Sequence, residues 1–271
     1  MWGMLIVLVR IAVLVYIGMT LILAGCQRGM MYIPTRLSQS QAVSFAATDG
    51  LIPWNDLDGE LIGWRLRPRP ENMDVLLFFH GNAGFAGHRG YLAHGFSNRF
   101  DVHILEYPGY GSRPGNPSEQ SFRLAAEQAL RQLQQETNQR IFLAGESLGT
   151  GVAAWLASTY PEDVAGLFLV TPFDSLVNVA RHHYPIFPVR WLLRDRFESA
   201  RHLEKFNGPI AILLAENDEV VPAQFGQALY DAYAGPKRIW LQEGRSHNTL
   251  DFSPGLGWWN QVADFLKQQS E

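Results

Sequence analysis

Six short apolar segments separated by helical patterns constrain the fold of this chain more than any other feature. Their apolar residues are nearly continuous rather than alternating, which is typical of strands buried on both faces of a sheet. Helical patterns occupy residues 117–136, 148–160, 223–235 and 258–269. Strands that alternate with helices predict crossover connections, a mostly parallel sheet and helices on both of its faces. The six segments are VLLFFH (75–80), VHILEY (102–107), IFLAGE (141–146), AGLFLV (165–170), PIAILLAE (209–216) and RIWLQE (238–243).

An antiparallel hairpin is expected before this sheet, between Gln41 and Pro68. We predict one strand at AVSFAA (42–47) and its partner at GELIGWRL (59–66). The turn-rich segment TDGLIPWNDLD joins them. The whole chain has 271 residues, of which 47% are hydrophobic, and an α/β fold of this size is often one domain. Its net charge of −4 gives no sign of a nucleic-acid partner.

The N-terminal 25 residues form an apolar stretch interrupted by one charge, Arg10. The stretch ends in LILAGC at Cys26, the only cysteine of the chain. This ending resembles a bacterial lipobox, with Ile11–Gly25 as the apolar region of a signal peptide and Cys26 as the lipidated residue. The alternative is an uncleaved transmembrane anchor over Met4–Gly25, which is long enough to span a bilayer. We favour the lipoprotein, and both alternatives tether the domain to a membrane of the bacterial cell envelope.

The sequence GESLG at 145–149 follows one of the buried segments and directly precedes a helical pattern. A G-x-S-x-G sequence in this context predicts a sharp strand-to-helix turn that exposes the serine hydroxyl above the sheet. Small neighbours are needed because larger side chains would collide across the turn. We therefore predict Ser147 as a nucleophile, with the backbone N–H of Leu148 free to bind an oxyanion.

A serine nucleophile needs a base and an acid, which in this arrangement follow it in the order acid, then histidine. His247 lies in a loop after the last strand segment, and Asp218 lies in the loop after the segment that ends at Glu216. We predict Asp218 as the acid that orients the base His247. Glu216 is a rival acid but lies at the strand end, and Asp251 comes after the histidine.

The sequence FFHGNAG at 78–84 supplies a loop at the end of another strand. Gly81 allows the backbone to turn so that the N–H of Asn82 faces the serine hydroxyl as the second oxyanion donor. The N–H of Ala83 remains an alternative. For His80 we expect a structural role in this loop.

Together these motifs resemble the α/β-hydrolase superfamily, and more narrowly its Bem46-like or serine-aminopeptidase-like membrane-tethered group. The similar stretches include FFHGNAGFAGHR, EYPGYGSRPGNPSEQSF, AGESLGTGVAAWLA, ENDEVVP and GRSHNTL. The resemblance implies the triad Ser147, Asp218 and His247. It also implies a hydrolase that forms an acyl-enzyme and acts on a small acyl substrate. We expect ester or thioester cleavage; the alternatives are an aminopeptidase and a tethered binding protein without enzymatic activity.

Residues 27–271 are expected to form the hydrolase domain, and residues 172–208 a small cap over Ser147; we call this insert the cap segment. It is rich in arginine, which could face anionic head groups or, as we favour, form ion pairs within the segment. No metal or cofactor is expected, because His182–His183 lacks companion ligands and GNAGFAG lacks the residues of a phosphate-binding loop. Six apolar residues of the cap segment could line an acyl pocket: Phe173, Tyr184, Phe187, Trp191, Leu192 and Leu193.

Overall fold

A computed structural model describes residues 2–66 and 72–270 of the chain. Its strands are β1 (Ile33–Pro34), β2 (Leu51–Asn55), β3 (Leu61–Leu66), β4 (Val75–Phe79), β5 (Ala83–Gly84), β6 (Asp101–Leu105), β7 (Ile141–Glu146), β8 (Gly166–Val170), β9 (Ile210–Ala215) and β10 (Lys237–Gln242). Its helices are α1 (Trp2–Met31), α2 (Gln39–Thr48), α3 (Gly90–Phe96), α4 (Glu119–Glu136), α5 (Leu148–Thr159), α6 (Leu176–His183), α7 (Val189–Leu192), α8 (Ser199–Leu203), α9 (Ala223–Ala232) and α10 (Gly257–Gln269).

Eight of the strands form one sheet in the order β2-β3-β6-β4-β7-β8-β9-β10. Strands β2 and β3 are antiparallel, as are β3 and β6, and the remaining pairs are parallel. The predicted fold class, a mostly parallel sheet with an antiparallel start, is therefore confirmed. The registers Phe79↔Gly145 and Glu146↔Val170 bring the carboxyl ends of β4, β7 and β8 together. Ligand sites of open parallel sheets form at this edge.

The predicted hairpin exists, but its first strand was placed wrongly. Strand β3 pairs with β2, which lies in the segment expected to be the turn. AVSFAA belongs instead to helix α2, which begins at a capping box formed by Ser38 and Gln41. Ala42 and Ala46, four residues apart, are the buried face of this helix. The end of the predicted hairpin, up to Pro68, lies outside the described residues.

Helices cover both faces of the sheet, and successive side chains of each central strand serve opposite faces. In β4, Leu77 and Phe79 join the core beneath α4, α5 and α9, whereas Leu76 and Phe78 join the core beneath α2, α3 and α10. All five residues of β4 are buried. Such two-sided burial explains why the sequence of these strands is continuously apolar.

Helix α1 projects from this domain and has no buried residue. It is long and apolar enough to cross a membrane, and so it could anchor the chain in one. The cap segment, between β8 and β9, folds into α6, α7 and α8. The backbone N–H groups of Arg196 and Phe197 donate to the buried carboxylate of Glu119, at 2.7 and 3.1 Å, and so fix this segment to the start of α4.

Candidate active site

Ser147 lies at the turn between β7 and α5 and has an unusual backbone conformation. Its φ and ψ are 51° and −116°, a region in which a residue with a side chain costs about 1–3 kcal/mol. The Ser147 N–H donates a hydrogen bond to Val170 O at 2.9 Å, which fixes the turn to the end of β8. Strain of this kind persists where the surrounding structure enforces it, and it identifies Ser147 as a candidate functional residue.

The two glycines of the G-x-S-x-G sequence are required by close backbone approach. A Cβ atom on Gly149 would lie 2.0 Å from Phe79 O, and a Cβ atom on Gly145 would lie 2.5 Å from Gly149 O. Neither position has room for any side chain, because the obstructing atoms are backbone. The first turn of α5 is therefore packed directly against the end of β4, with the helix N-terminus beneath Ser147.

Asp218 and His247 are brought together at the carboxyl edge of the sheet. The Nδ1–H of His247 donates to Asp218 Oδ2 at 2.7 Å, and the Asp218 side chain is 1% exposed. Asp218 Oδ1 accepts from the N–H groups of Val220 and Val221 at 2.9 and 2.7 Å. The carboxylate is thus fixed on both oxygens, and it holds the imidazole with Nε2 free to accept a proton.

The rival carboxylates contact other groups. Glu216 Oε2 accepts from the N–H of Gly244 at 2.7 Å, and Asp251 accepts from Ser253. Within the described part of the chain, no hydrogen bond joins the Ser147 hydroxyl to His247. Such bonds are often long before substrate binds.

The side chain of Glu146, the residue before the serine, is bound by Arg89 and Tyr91, and this interaction was not predicted from the sequence. Arg89 Nε donates to Glu146 Oε2 at 2.8 Å, and the Tyr91 hydroxyl donates to the same atom at 3.2 Å. Burial opposes the charge of Glu146, but the Arg89 guanidinium, its hydrogen bond and the nearby His247 outweigh it and hold the pKa of Glu146 below its ordinary value. His247 therefore lies close enough to the serine turn to influence it electrostatically. In the sequence, Arg89 stood out only as part of the stretch FFHGNAGFAGHR, and nothing there indicated that it would pair with Glu146.

The loop after β4 passes beside the serine. A Cβ atom on Gly81 would lie 3.7 Å from Ser147 Cβ. Asn82 is tied in place by its side-chain Nδ2, which donates to Met31 O at 2.9 Å, and by its carbonyl, which accepts from the Tyr110 hydroxyl at 2.8 Å. Among the described residues, the backbone N–H groups of Asn82 and Leu148 donate to no other protein group, so both are available to a ligand.

His80 lies beneath this loop and is fully buried. Its Nδ1–H donates to Gly81 O at 2.7 Å, and its ring packs against Tyr107 with centroids 4.3 Å apart. Its Nε2 is 3.6 Å from the buried carboxylate of Glu106. These contacts support the loop from below, as expected for a structural residue.

The apolar residues of the cap segment divide into two groups. Tyr184, Phe187, Leu192 and Leu193 line a cavity of about 570 Å³. Phe173 is buried in the core, and Trp191 is 82% exposed, so neither lines this cavity. The expected ion pairing within the segment occurs at Glu198, which contacts Arg196 and Arg201. Cys26, the predicted lipidation site, is an exposed free thiol on α1.

Comparison with known proteins supports the family resemblance. Residues 74–206 match the family model of the alpha/beta hydrolase fold. An uncharacterized protein of Mycobacterium tuberculosis is 32% identical over 96% of this chain and 94% of its own length. Protein bem46 of Schizosaccharomyces pombe is 29% identical over 73% of this chain and 69% of its length.

A further relative carries a functional name. The lysophosphatidylserine lipase ABHD12 of Danio rerio is 30% identical over 76% of this chain and 58% of its own length. The serine turn, the sheet order and these relatives agree: the chain belongs to the α/β-hydrolase family.

Proposed function

We propose that this chain is a serine hydrolase that cleaves carboxylic ester or thioester bonds of lipid-derived acyl groups while tethered to a membrane through α1. The observation that carries the proposal is the strained Ser147 at the start of α5, at the same sheet edge as the hydrogen-bonded pair Asp218–His247. The named activity of the lipase relative supports an acyl lipid as the substrate class.

The reaction would begin with transfer of the Ser147 hydroxyl proton to His247 Nε2 as the oxygen attacks the carbonyl carbon. The N–H groups of Asn82 and Leu148 stabilise the oxyanion. His247 then gives its proton to the leaving alcohol or thiol, and an acyl-enzyme on Ser147 remains. Water, deprotonated by His247, attacks this acyl group; His247 then returns the proton to Ser147 Oγ as the bond to the serine breaks and the acid is released. Asp218 stays ionised and stabilises the imidazolium throughout.

Labelling of the full chain by a fluorophosphonate probe tests the nucleophile. We expect the wild type to label and Ser147→Ala to remain unlabelled. Ser158→Ala, at the far end of the same helix, is the matched control and should label like the wild type. Equal labelling of Ser147→Ala and wild type would refute Ser147 as the nucleophile. No labelling of the wild type would refute the proposal and favour the binding-protein alternative.

Hydrolysis rates across p-nitrophenyl esters of increasing chain length, acyl thioesters and aminoacyl-nitroanilides test the bond type. We expect the highest kcat/KM for an ester or thioester with a long acyl chain. A preference for the anilides would instead identify a peptidase.

A further inference from the structure

The second half of α1, from Tyr16 to Arg28, docks on the cap segment. The Tyr16 hydroxyl donates to Ile186 O at 2.7 Å, and its ring stacks on Phe187 with centroids 5.7 Å apart. Gln27, eleven residues later on the same helix face, donates to Leu192 O at 3.0 Å and accepts from the Arg194 N–H at 2.8 Å. The contact therefore extends over about three helical turns.

An ion pair fixes the register of this contact. Arg28 binds both carboxylate oxygens of Asp195, at 2.8 and 3.0 Å, and the Asp195 side chain is only 5% exposed. A buried carboxylate that loses its partner is destabilising. The helix is thus attached to the domain in one position and not through a flexible linker.

The cavity of about 570 Å³ lies between these two elements. Leu23, Ala24 and Met31 of α1 form one wall, and residues of the cap segment such as Val179 and Leu192 form another. Its size and its apolar walls are those of a small-molecule site. Five of the sixteen residues that line this site come from the N-terminal helix, so they could not be found in the cap sequence.

Two residues that line the cavity are bonded directly to the proposed active site. Met31 O accepts the Asn82 side-chain amide at 2.9 Å, and the Val220 N–H donates to Asp218 at 2.9 Å. The cavity therefore adjoins both the oxyanion loop and the acid loop. The residues that line the cavity do not include Ser147, so an acyl chain held there would extend past these two loops to reach it.

Two of the α1 residues that line the cavity, Leu23 and Ala24, belong to the helix that is long and apolar enough to cross a membrane. The side of the helix that faces away from the cap segment exposes apolar residues up to Leu21 and Ile22, one turn before Gln27. Because the length and hydropathy of the helix allow it to cross a membrane, this surface suits contact with lipid. On the cap segment, Ile186 is 69% exposed at the same level as Tyr16.

The cap segment also carries an interfacial pattern next to α1. Trp191 is 82% exposed, and the exposed Arg190 and Arg194 form no ion pair within the described part of the chain. A tryptophan flanked by free arginines is typical of a surface in contact with lipid head groups.

We propose that this cavity binds the acyl chain of a membrane lipid ester, which enters from the bilayer between α1 and the cap segment. The inference rests on the proposed hydrolase function and adds the substrate site and its route. In this proposal α1 forms one wall of the site, so the helix must remain part of the mature chain. The proposal therefore favours an uncleaved anchor over cleavage before Cys26.

Narrowing the cavity from the α1 side tests this site. In Ala24→Trp, we expect the ratio of kcat/KM for long-chain over short-chain p-nitrophenyl esters to fall at least about tenfold, because each methylene denied burial costs about fourfold. The matched control is Leu21→Trp, on the same helix but 66% exposed and outside the cavity; its ratio should equal that of the wild type. An unchanged ratio in Ala24→Trp, or an equal fall in Leu21→Trp, would overturn the proposal.

A binding measurement separates this inference from the catalytic one. In Ser147→Ala, a long-chain fatty acid carrying a diazirine, supplied in phosphatidylcholine vesicles, should cross-link to residues of both α1 and the cap segment that line the cavity. Cross-links confined to the outer face of α1 would refute the site even if the wild type is an active hydrolase. Cross-links in the cavity together with no fluorophosphonate labelling of the wild type would refute only the catalytic proposal. A mature chain that begins at Cys26 would also overturn the inference, because Leu23 and Ala24 would be lost.

Discussion

Replacement of Asp218 by asparagine gives the sharpest test of the proposed acid, because the surrounding backbone dictates how the new amide must lie. The N–H groups of Val220 and Val221 both donate to Asp218 Oδ1. In Asp218→Asn the amide oxygen takes that place, so the amide NH₂ group points at His247 Nδ1. Nδ1 must then accept a hydrogen bond from this amide, and the single proton of the neutral imidazole lies on Nε2. The imidazole can no longer take the proton of Ser147.

The expected loss follows from this change of tautomer. A triad with the wrong tautomer loses about 10⁴ in kcat, which corresponds to about 5.4 kcal/mol of transition-state stabilisation at 1.36 kcal/mol per tenfold change. KM should change much less, since Asp218 does not line the cavity. Steady-state hydrolysis of a p-nitrophenyl ester measures both quantities. Thermal unfolding of the full chain in detergent verifies that the variant is folded.

Glu216→Gln is the matched control for this experiment. Glu216 is the nearest rival carboxylate, and its side chain contacts the N–H of Gly244. The amide oxygen of glutamine can accept the same bond, so kcat should stay within about threefold of the wild type. A folded Asp218→Asn variant that keeps more than a tenth of wild-type kcat, or a large loss in Glu216→Gln, would refute the assignment.

Two further predictions concern contacts beside Ser147, and a third concerns His202 in α8. Gly149→Ala should lower the thermal unfolding temperature and abolish ester hydrolysis, because its Cβ atom would lie 2.0 Å from a backbone carbonyl oxygen; wild-type stability would contradict this. Arg89→Met should lower kcat while fluorophosphonate labelling persists more slowly, because the Glu146 carboxylate next to the serine loses its partner; unchanged kcat would contradict it. For His202, burial and the Arg123 guanidinium lower the pKa from 6.5 to about 4, so the folded state resists a proton that the unfolded chain accepts. The contribution of His202 to stability is present above pH 6.5 and is lost as the pH falls toward 4. Between pH 7.5 and pH 5, the free energy of unfolding should fall by about 1 kcal/mol more in the wild type than in His202→Gln, a figure that is already discounted for the partial exposure of His202. Equal losses in the two proteins would contradict this prediction.

The central sheet could be predicted from the sequence because its strands are buried on both faces. The apolar segments from residue 75 onward coincide, to within two residues at each end, with the strands β4, β6, β7, β8, β9 and β10. The exception was the first strand of the hairpin. The apolar and polar residues of AVSFAA alternate weakly, and this pattern favours a strand only if the helix-capping residues before it are ignored. Ser38 and Gln41 close a capping box before it, and this local interaction decides for a helix.

The candidate site was predictable where its residues lie in the loops that follow strands. The positions of Ser147, Asp218 and His247 came from their order along the chain, and their roles stay predictions. The cavity was only half predictable. Phe173 turned out to be a core residue and Trp191 an exposed one, because an apolar residue in an insert can face the sheet, the solvent or a ligand without any local signal. The wall from α1 depends on packing between segments more than 160 residues apart.

The unbroken passage of α1 from its apolar stretch to the Arg28–Asp195 pair has a consequence for the proposed lipid hydrolase. If α1 anchors the chain, this rigid connection would hold the cavity at a fixed height relative to the lipid surface. Encounter then becomes a two-dimensional search by lateral diffusion, and the relevant concentration is the mole fraction of the lipid in the bilayer. Dilution of the substrate with inert lipid should slow the reaction, whereas dilution of the vesicles in buffer should not.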